Sequence, residues 1–287
     1  MDPKQLKRMF GIDKAPRISL SLQDIPQKAQ EMVGRMSISG VQPKLSVKLD
    51  KRLGELVVAA EGGEYILKPQ LQQFPNIPEN ENCCMDIAEN FGIEVPPQCL
   101  LPLADGSLAY IVKRFDRQGA ERIHQEDFVQ ILGKRDKYEG SLEQIGKKLL
   151  EISAVPGLDA QLFFERVVFN FLIGNGDAHF KNFSVLYHGD GSIRLAPAYD
   201  IVCSKLVIFG EADCALTVNG RKNNLRLKDF DALADGLEIL QKSRYEKFEG
   251  KIPTIEGVVE SGRLPETSKK KMIEIVASRY GQLKIHP

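Results

Sequence analysis

The chain has 287 residues, which is enough to bury a large core as one large domain or as two lobes. Its 39 basic and 39 acidic residues give a net charge of zero, which disfavours direct DNA binding because no positive field attracts a polyanion. No apolar run approaches the length of a membrane span, and the N-terminus lacks the apolar core of a secretion signal. We therefore expect a cytoplasmic protein that does not enter a membrane.

The first half of the chain predicts an N-terminal extension followed by a β-sheet. Residues 1–36 hold two short amphipathic stretches and no recognisable chemistry. A small-residue loop, Ser37–Lys44, then precedes three predicted strands: Leu45–Leu49, Leu56–Ala60 and Glu64–Leu67. The serine hydroxyls and Lys44 could contact the β- and γ-phosphates of a nucleotide, but an ordinary surface loop explains these residues equally well.

A lysine and a glutamate beyond this loop form a second candidate feature. Lys68 ends a hydrophobic strand just before a predicted helix, Glu79–Phe91, which is where protein kinases keep the lysine that pairs with the α- and β-phosphates of ATP. Glu81 is our candidate for its ion-pair partner, with Glu89 in reserve. Lysines at strand ends and glutamates on helices are also commonly solvated.

A predicted hairpin of Gln98–Leu103 and Leu108–Val112 leads into the charged run Lys113–Arg117, where a two-lobed kinase would have its hinge. A charged exit from a strand is the simpler alternative there. The remainder is mainly helical, with predicted helices at Glu126–Leu132, Leu142–Ser153, Gln161–Ile173, Leu227–Ala234, Leu237–Phe248 and Ser268–Tyr280. The five cysteines lack C-x-x-C spacing, so we interpret them as reduced, buried residues.

Residues 170–200 are the most informative stretch of the sequence. An apolar helix ends at Gly174-Asn175-Gly176, and Asp177 and Asn182 then follow with D-x-x-x-x-N spacing. A predicted hairpin leads to Asp200. A kinase needs this order of groups: a carboxylate that accepts the proton of the attacking hydroxyl, then an amide and a second carboxylate that hold Mg²⁺ on ATP. Lys181 could offset charge on the transferring phosphoryl group. Asn and Asp are common turn residues, so only the whole set supports this interpretation.

These segments together resemble the HipA-like serine/threonine kinase toxins of bacterial toxin–antitoxin systems. The matching patterns span most of the chain in order: S-x-S-G-x-Q-x-K at 37–44, K-P at 68–69, E-N-E at 79–81, R-F-D-R at 114–117, H-x-E-D-x-x-Q at 124–130, N-G-D-x-H-x-K-N-F-S at 175–184 and P-x-Y-D at 197–200.

The resemblance implies an α+β, two-lobed protein-kinase-like fold, with an extension at 1–36, a β-rich N-lobe at 37–114 and a mainly helical C-lobe at 115–287. It implies that Asp177 is the catalytic base and that Asn182 and Asp200 bind Mg²⁺. It also implies autophosphorylation in the loop, at Ser37 or Ser39. The ATP-binding residues that it implies are Ser39, Gly40, Val41, Gln42, Pro43, Lys44, Lys68, Lys113, Arg114, Phe115, His179, Lys181, Asn182, Tyr199 and Asp200.

The doubled serine, Ser37-Ile38-Ser39, looks like the HipT branch of this family. Only residues 1–36 precede the loop, which agrees with that branch because longer HipA proteins carry an additional subdomain there. The resemblance then implies phosphorylation of tryptophanyl-tRNA synthetase, favoured over glutamyl-tRNA synthetase. It also implies two partners, a HipB-like DNA-binding antitoxin and a small HipS-like protein.

Two other functions agree with the same residues. Small-molecule and lipid kinases share the Asp…Asn…Asp groups, and trials with small alcohols against protein substrates would separate them from a protein kinase. A nucleotide-binding regulatory module is the non-enzymatic alternative. Autophosphorylation of the isolated chain would exclude it.

Overall fold

The computed structural model describes residues 3–31, 43–119 and 121–286, without the side chains of Glu31 and Gln118. Its helices are α1 (Pro3–Phe10), α2 (Asp24–Glu31), α3 (Ile77–Asn90), α4 (Phe128–Ile131), α5 (Leu142–Ile152), α6 (Pro156–Ile173), α7 (Leu227–Gly236), α8 (Ile252–Ser261) and α9 (Glu266–Leu283). Its strands are β1 (Leu45–Asp50), β2 (Glu55–Val58), β3 (Tyr65–Pro69), β4 (Gln98–Pro102), β5 (Leu108–Lys113), β6 (Arg117–Gln118), β7 (Glu121–Arg122), β8 (His124–Asp127), β9 (Ser184–Tyr187) and β10 (Ile193–Leu195).

The described residues form two compact units. The first holds the chain up to Asn82 together with Pro96–Glu121, and the second holds Cys83–Val95 together with the chain from Arg122 onward.

The first unit is built on a five-stranded antiparallel sheet in the order β2-β1-β3-β5-β4. Alternate residues of its strands enter one hydrophobic core, as the period-two pattern of the sequence requires. Helix α1 packs on this core through Leu6, Met9 and Phe10. The hydroxyl of Tyr65 on β3 donates to the backbone oxygen of Met9 at 2.8 Å, which ties the helix to the sheet.

The second unit is organised around α6, which is buried almost all round, as its apolar sequence predicts. Pro156 lies in the first turn, where its missing N–H costs no hydrogen bond. The helix ends at Gly174, whose φ of 77° is the left-handed cap that glycine adopts without a Cβ clash. Because the cap directly precedes Asn175-Gly176-Asp177, a rigid helix holds the start of the candidate catalytic loop.

A three-stranded antiparallel sheet, β10-β9-β8, follows that loop, and β9–β10 is the predicted hairpin. The prediction of a helix over Glu126–Leu132 is wrong at its start. Residues up to Asp127 pair with β9 as a strand, and Asp127 then caps the short helix α4 by accepting from the backbone N–H of Gln130. Pairing with a partner strand 59 positions away overrides the local helical pattern, as the register of Glu126 with Val185 shows.

The predicted helix Leu237–Phe248 is also wrong. Two 3₁₀ turns, Gln241–Ser243 and Glu246–Phe248, occupy this region instead, and Leu240 is 65% exposed rather than buried on a helix face. Helix α8, which the sequence analysis did not predict, follows it. Within the described residues, no helix has both the length and the apolar character needed to cross a bilayer.

All five cysteines are reduced and buried, which confirms their interpretation as small core residues. Burial raises the pKa of the thiols of Cys83, Cys203 and Cys214 to about 12.

Candidate active site

The backbone just before Asp177 is fixed by side chains of the second unit. Asn175 Nδ2 donates to Asn170 Oδ1 at 2.7 Å, and the N–H of Gly176 donates to Ser204 Oγ at 2.8 Å. Gly176 has no space for a side chain, because a Cβ there would lie 2.4 Å from the backbone oxygen of Ala212. The N-G-D sequence is therefore a packing requirement as well as a turn signal, and it presents Asp177 as a half-buried carboxylate.

Asn182 and Asp200, which are 18 positions apart in sequence, are brought into contact. Asn182 lies in the 3₁₀ turn Phe180–Asn182, and its Nδ2 donates to Asp200 Oδ2 at 2.8 Å. Its Oδ1 accepts from the N–H of His179 at 3.0 Å, which fixes the orientation of the amide. The hairpin β9–β10 returns the chain so that this contact can form. The hydroxyl of Tyr199 donates to the backbone oxygen of Lys181 at 2.8 Å and ties the two segments together again.

Asp200 has a φ of 61°, in the left-handed region that a non-glycine residue seldom adopts. Such conformations cluster at functional sites, where the surrounding structure holds them. A carboxylate and an amide oxygen are donor types that Mg²⁺ uses when substrate phosphates and water complete its coordination. Here Asn182 turns its amide nitrogen towards Asp200, and its amide oxygen accepts from the N–H of His179. Among the described residues, no group of three or more His, Cys, Asp or Glu side chains could hold a metal ion. The Asp200 carboxylate therefore fits Mg²⁺ as a companion of bound phosphates, and Asn182 would join it only with its amide turned so that the oxygen faces the metal.

His179 is buried between these carboxylates and a lysine. Its Nε2 lies 2.7 Å from Lys137 Nζ. An ammonium group only donates, so Nε2 must accept and the ring proton must lie on Nδ1. Burial and the charge of Lys137 lower the pKa of His179, while Asp177 and Asp200 act weakly in the opposite direction. The contacts of His179 therefore give it a structural role in the candidate catalytic loop.

Three residues that contact Asp177 or its supporting residues were not predicted from the sequence. The hydroxyl of Tyr138 donates to Asp177 Oδ1 at 2.8 Å across 39 positions of sequence. Glu211 contacts Ser204, and burial raises the pKa of its carboxyl. Lys137 contacts His179. For Lys137 and Tyr138, the signal available in the sequence was the dense polar run at 134–139, which has the appearance of a solvated loop. Glu211 lies outside that run.

In the first unit, the structure brings together the two residues of the expected ion pair. Lys68 Nζ lies 2.6 Å from Glu81 Oε1, and both residues are buried, at 7% and 2% exposed. The ammonium group also lies 5.6 Å from the centre of the Tyr110 ring on the neighbouring strand. Glu89, the reserve candidate, is exposed further along α3.

The expected hinge residues follow β5. Lys113 ends that strand, and the guanidinium of Arg114 makes two hydrogen bonds to Asp116, at 2.9 and 2.6 Å. Burial alone would raise the pKa of Asp116, but Arg114 and Arg117 outweigh it, so that its pKa is lowered. Phe115 lies between the two partners of the Arg114–Asp116 pair in sequence. The carboxylate therefore ties the Arg114 and Arg117 side chains together.

The expected phosphate loop lies almost entirely outside the described residues. Pro43 and Lys44 directly precede β1 and are described. The remaining loop residues with expected roles, Ser37, Ser39, Gly40, Val41 and Gln42, lie outside the described part of the chain.

Comparison with known proteins assigns the fold. The structure resembles a Shewanella oneidensis HipA solved with HipB and its operator DNA, with a TM-score of 0.73 and 20% identity over 90% of this chain and 71% of that one. It also resembles the Helicobacter pylori proinflammatory kinase CtkA, with a TM-score of 0.56 and 14% identity over 79% of this chain and 90% of that one. The fold is thus the two-lobed, kinase-like α+β fold that the resemblance implied.

The sequence matches the family described as the HipA-like C-terminal domain over residues 36–260. The chain belongs to this family. Y4dM of Sinorhizobium fredii is 40% identical over 208 residues, which cover 66% of this chain and 50% of the relative. The serine/threonine-protein kinase toxin HipA of Shewanella oneidensis is 28% identical over 230 residues, which cover 71% of this chain and 52% of the relative. The chain spans about half the length of these relatives.

Proposed function

We propose that the chain is an ATP-dependent serine/threonine protein kinase. The observation that carries this proposal is the contact between Asn182 and Asp200 on a loop that also presents Asp177, in a chain of the HipA-like family. These are the groups that phosphoryl transfer needs, because the enzyme chiefly positions the reactants and stabilises charge.

In the proposed reaction, Asp177 accepts the proton of the attacking hydroxyl as the oxygen bonds to the γ-phosphorus and the bond to the β-phosphate oxygen breaks. ADP leaves with that oxygen. Lys181 lies on the 3₁₀ turn Phe180–Asn182 and would offset negative charge on the transferring phosphoryl group. Asp200 would hold Mg²⁺ together with Asn182, whose amide would turn its oxygen to the metal, and the bound ion would neutralise charge on the β- and γ-phosphates. Lys68, oriented by Glu81, would pair with the α- and β-phosphates.

The remaining ATP contacts are proposed from the family resemblance. The loop Ser39–Lys44 would cover the phosphates, and the segment Lys113–Phe115 would lie along the adenosine. The contacts of His179 and Tyr199 support an indirect role for these two residues, because both hold the catalytic loop in place.

We further propose that the protein is the toxin of a toxin–antitoxin system, most like the HipT branch, and that it inhibits translation by phosphorylating a tRNA synthetase. The doubled serine of the loop supports this assignment and makes tryptophanyl-tRNA synthetase the first substrate to test, before glutamyl-tRNA synthetase. A HipB-like antitoxin and a HipS-like protein are the proposed partners. The solved Shewanella oneidensis relative was captured with HipB, which supports the first of them.

Phosphorylation of Ser37 or Ser39 is the proposed means of self-inactivation. A phosphoserine adds about −1.5 to −2 charges at pH 7, which would repel the phosphates of ATP from the same loop.

The test is intact-mass spectrometry of the purified chain, first shown to be unmodified, before and after incubation with Mg²⁺ and ATP. The wild type should gain phosphate that maps to Ser37 or Ser39, and it should transfer phosphate to one of the two synthetases. Asp177→Asn should reduce the transfer rate by about 10²- to 10⁴-fold because the base is lost. Asp190→Asn is the matched control, since Asp190 is exposed in the β9–β10 turn. A wild type that transfers phosphate to neither itself nor a protein would refute the proposal.

A further inference from the structure

Tyr138 makes a side-chain hydrogen bond to the carboxylate of Asp177. Its hydroxyl donates to Oδ1 at 2.8 Å. Burial, the bond to Asp177 and the charge of that carboxylate raise the pKa of Tyr138 well above its usual range, so the phenol remains a neutral donor.

The backbone of Tyr138 is held from two sides. Its N–H donates to Asp136 Oδ1 at 2.8 Å, and its carbonyl oxygen accepts from Lys222 Nζ at 3.0 Å. The Tyr138 ring packs edge-on against the ring of His179, with 5.2 Å between the ring centres.

The preceding residue joins the same segment to the catalytic loop. Lys137 Nζ contacts both His179 Nε2 at 2.7 Å and the face of the Tyr138 ring at 4.7 Å. The backbone oxygen of Lys137 accepts from the N–H of Phe180 at 3.2 Å. Residues 136–138 thus form a brace along the loop that carries Asp177, and Tyr138 is its contact with the carboxylate.

Resting on the proposed function, we propose that Tyr138 is a positioning residue for the catalytic base. A carboxylate on a single bond can rotate about its χ2 angle, which has a broad, two-fold preference. The hydrogen bond to Oδ1 restrains that rotation and leaves Oδ2 to accept the proton of the substrate hydroxyl. A base held in the reactive orientation needs no rearrangement in the transition state, which is where positioning contributes to rate.

The experiment compares Tyr138→Phe with the wild type in initial-rate assays of phosphate transfer from ATP, to the chain itself and to tryptophanyl-tRNA synthetase. This change removes one oxygen and keeps the ring, so the packing on His179 and Lys137 is preserved. The expected result is a fall of roughly 10- to 100-fold in kcat with the KM for ATP unchanged, because orientation is lost while nucleotide binding is not. The melting temperature serves as a check that the fold is intact.

Tyr245→Phe is the matched control. It removes a tyrosine hydroxyl bonded to a carboxylate, that of Asp231, at 3.0 Å in the same unit. This control should leave kcat unchanged. Tyr138→Ala removes the ring as well as the hydroxyl. Its comparison with Tyr138→Phe therefore separates the effect of ring packing from the effect of the hydrogen bond.

An unchanged kcat in Tyr138→Phe, with a loss only in Tyr138→Ala, would show that the ring supports the fold and would overturn the inference. A faster Tyr138→Phe would also overturn it, since the hydroxyl would then be competing with the substrate for the base. In both cases the wild type is active and the proposed function stands. A wild type inactive in every assay refutes the proposed function, and this inference fails with it.

Discussion

The buried ion pair of Lys68 and Glu81 allows a direct test of how burial of charge affects the stability of the first unit. Its two charged atoms are 2.6 Å apart, and the side chains are only 9% and 2% exposed, so water cannot replace a missing partner. Glu81→Ala removes one partner of a buried ion pair, which typically costs about 3–5 kcal/mol. Glu89→Ala, at an exposed position of the same helix, should lower the free energy of unfolding by less than Glu81→Ala does, because water reaches that carboxylate.

The double variant Lys68→Met with Glu81→Leu removes both charges and replaces them with apolar groups. It should recover most of the lost stability, because exchanging a buried pair for hydrophobic residues is often neutral or stabilising. It should not recover phosphate transfer, since the cation proposed for the α- and β-phosphates is lost.

Urea denaturation followed by far-UV circular dichroism measures the stability, because the chain has no tryptophan. If Glu81→Ala is as stable as Glu89→Ala, the pair is not a desolvated ion pair, and the reasoning from its burial is wrong.

Two further predictions concern the second unit. The pKa of His179 is lowered in the folded state. Near and below pH 6.5 the unfolded chain therefore binds more protons at this residue than the folded chain does. The stability that the neutral ring contributes is lost as the pH falls below that value. His179→Gln should therefore weaken the loss of stability between pH 7.5 and 5.5 in urea titrations. The same slope in the variant and the wild type would contradict this. Gly174→Ala places a Cβ on a residue with a φ of 77°, 2.9 Å from a facing isoleucine, and should lower the free energy of unfolding by at least about 1 kcal/mol. Gly157→Ala, in the first turn of the same helix, places its Cβ in open space. It should raise the free energy of unfolding by about 0.5–1 kcal/mol. Thermal unfolding that ranks these two variants in the opposite order would show that the helix cap is not strained by a side chain.

Local pattern was sufficient to predict the elements that carry the site. Strand β3 follows from alternation over Tyr65–Leu67, and α6 follows from an apolar run too long for a strand. The end of α6 at Gly174 and the turn before β10 depend on glycines, which mark positive φ angles directly in the sequence. These features are determined by residues close together in the chain, and the sequence analysis predicted them with the correct order of elements.

The predictions that were wrong or missing concern residues whose structure depends on partners distant in the sequence. Residues 124–127 form a strand because β9 lies beside them, and a window of the sequence centred on Glu126 does not contain that information. Tyr138 was missed for the same reason, since its contact with Asp177 joins two loops 39 residues apart. Asp177, Asn182 and Asp200 were identified by spacing, but the direct contact of Asn182 with Asp200 is a property of the folded hairpin.

The five buried cysteines lie in different regions of the chain, so their reactivity can report local opening of each region. Cys99 lies in the sheet of the first unit, Cys83 and Cys84 lie on α3, and Cys203 and Cys214 follow the residues of the candidate site. Alkylating reagents attack the thiolate, and burial suppresses both access and ionisation, so each cysteine reacts only when its surroundings open. Timed alkylation with peptide mapping would therefore give a separate opening rate for each region, and no substitution is needed.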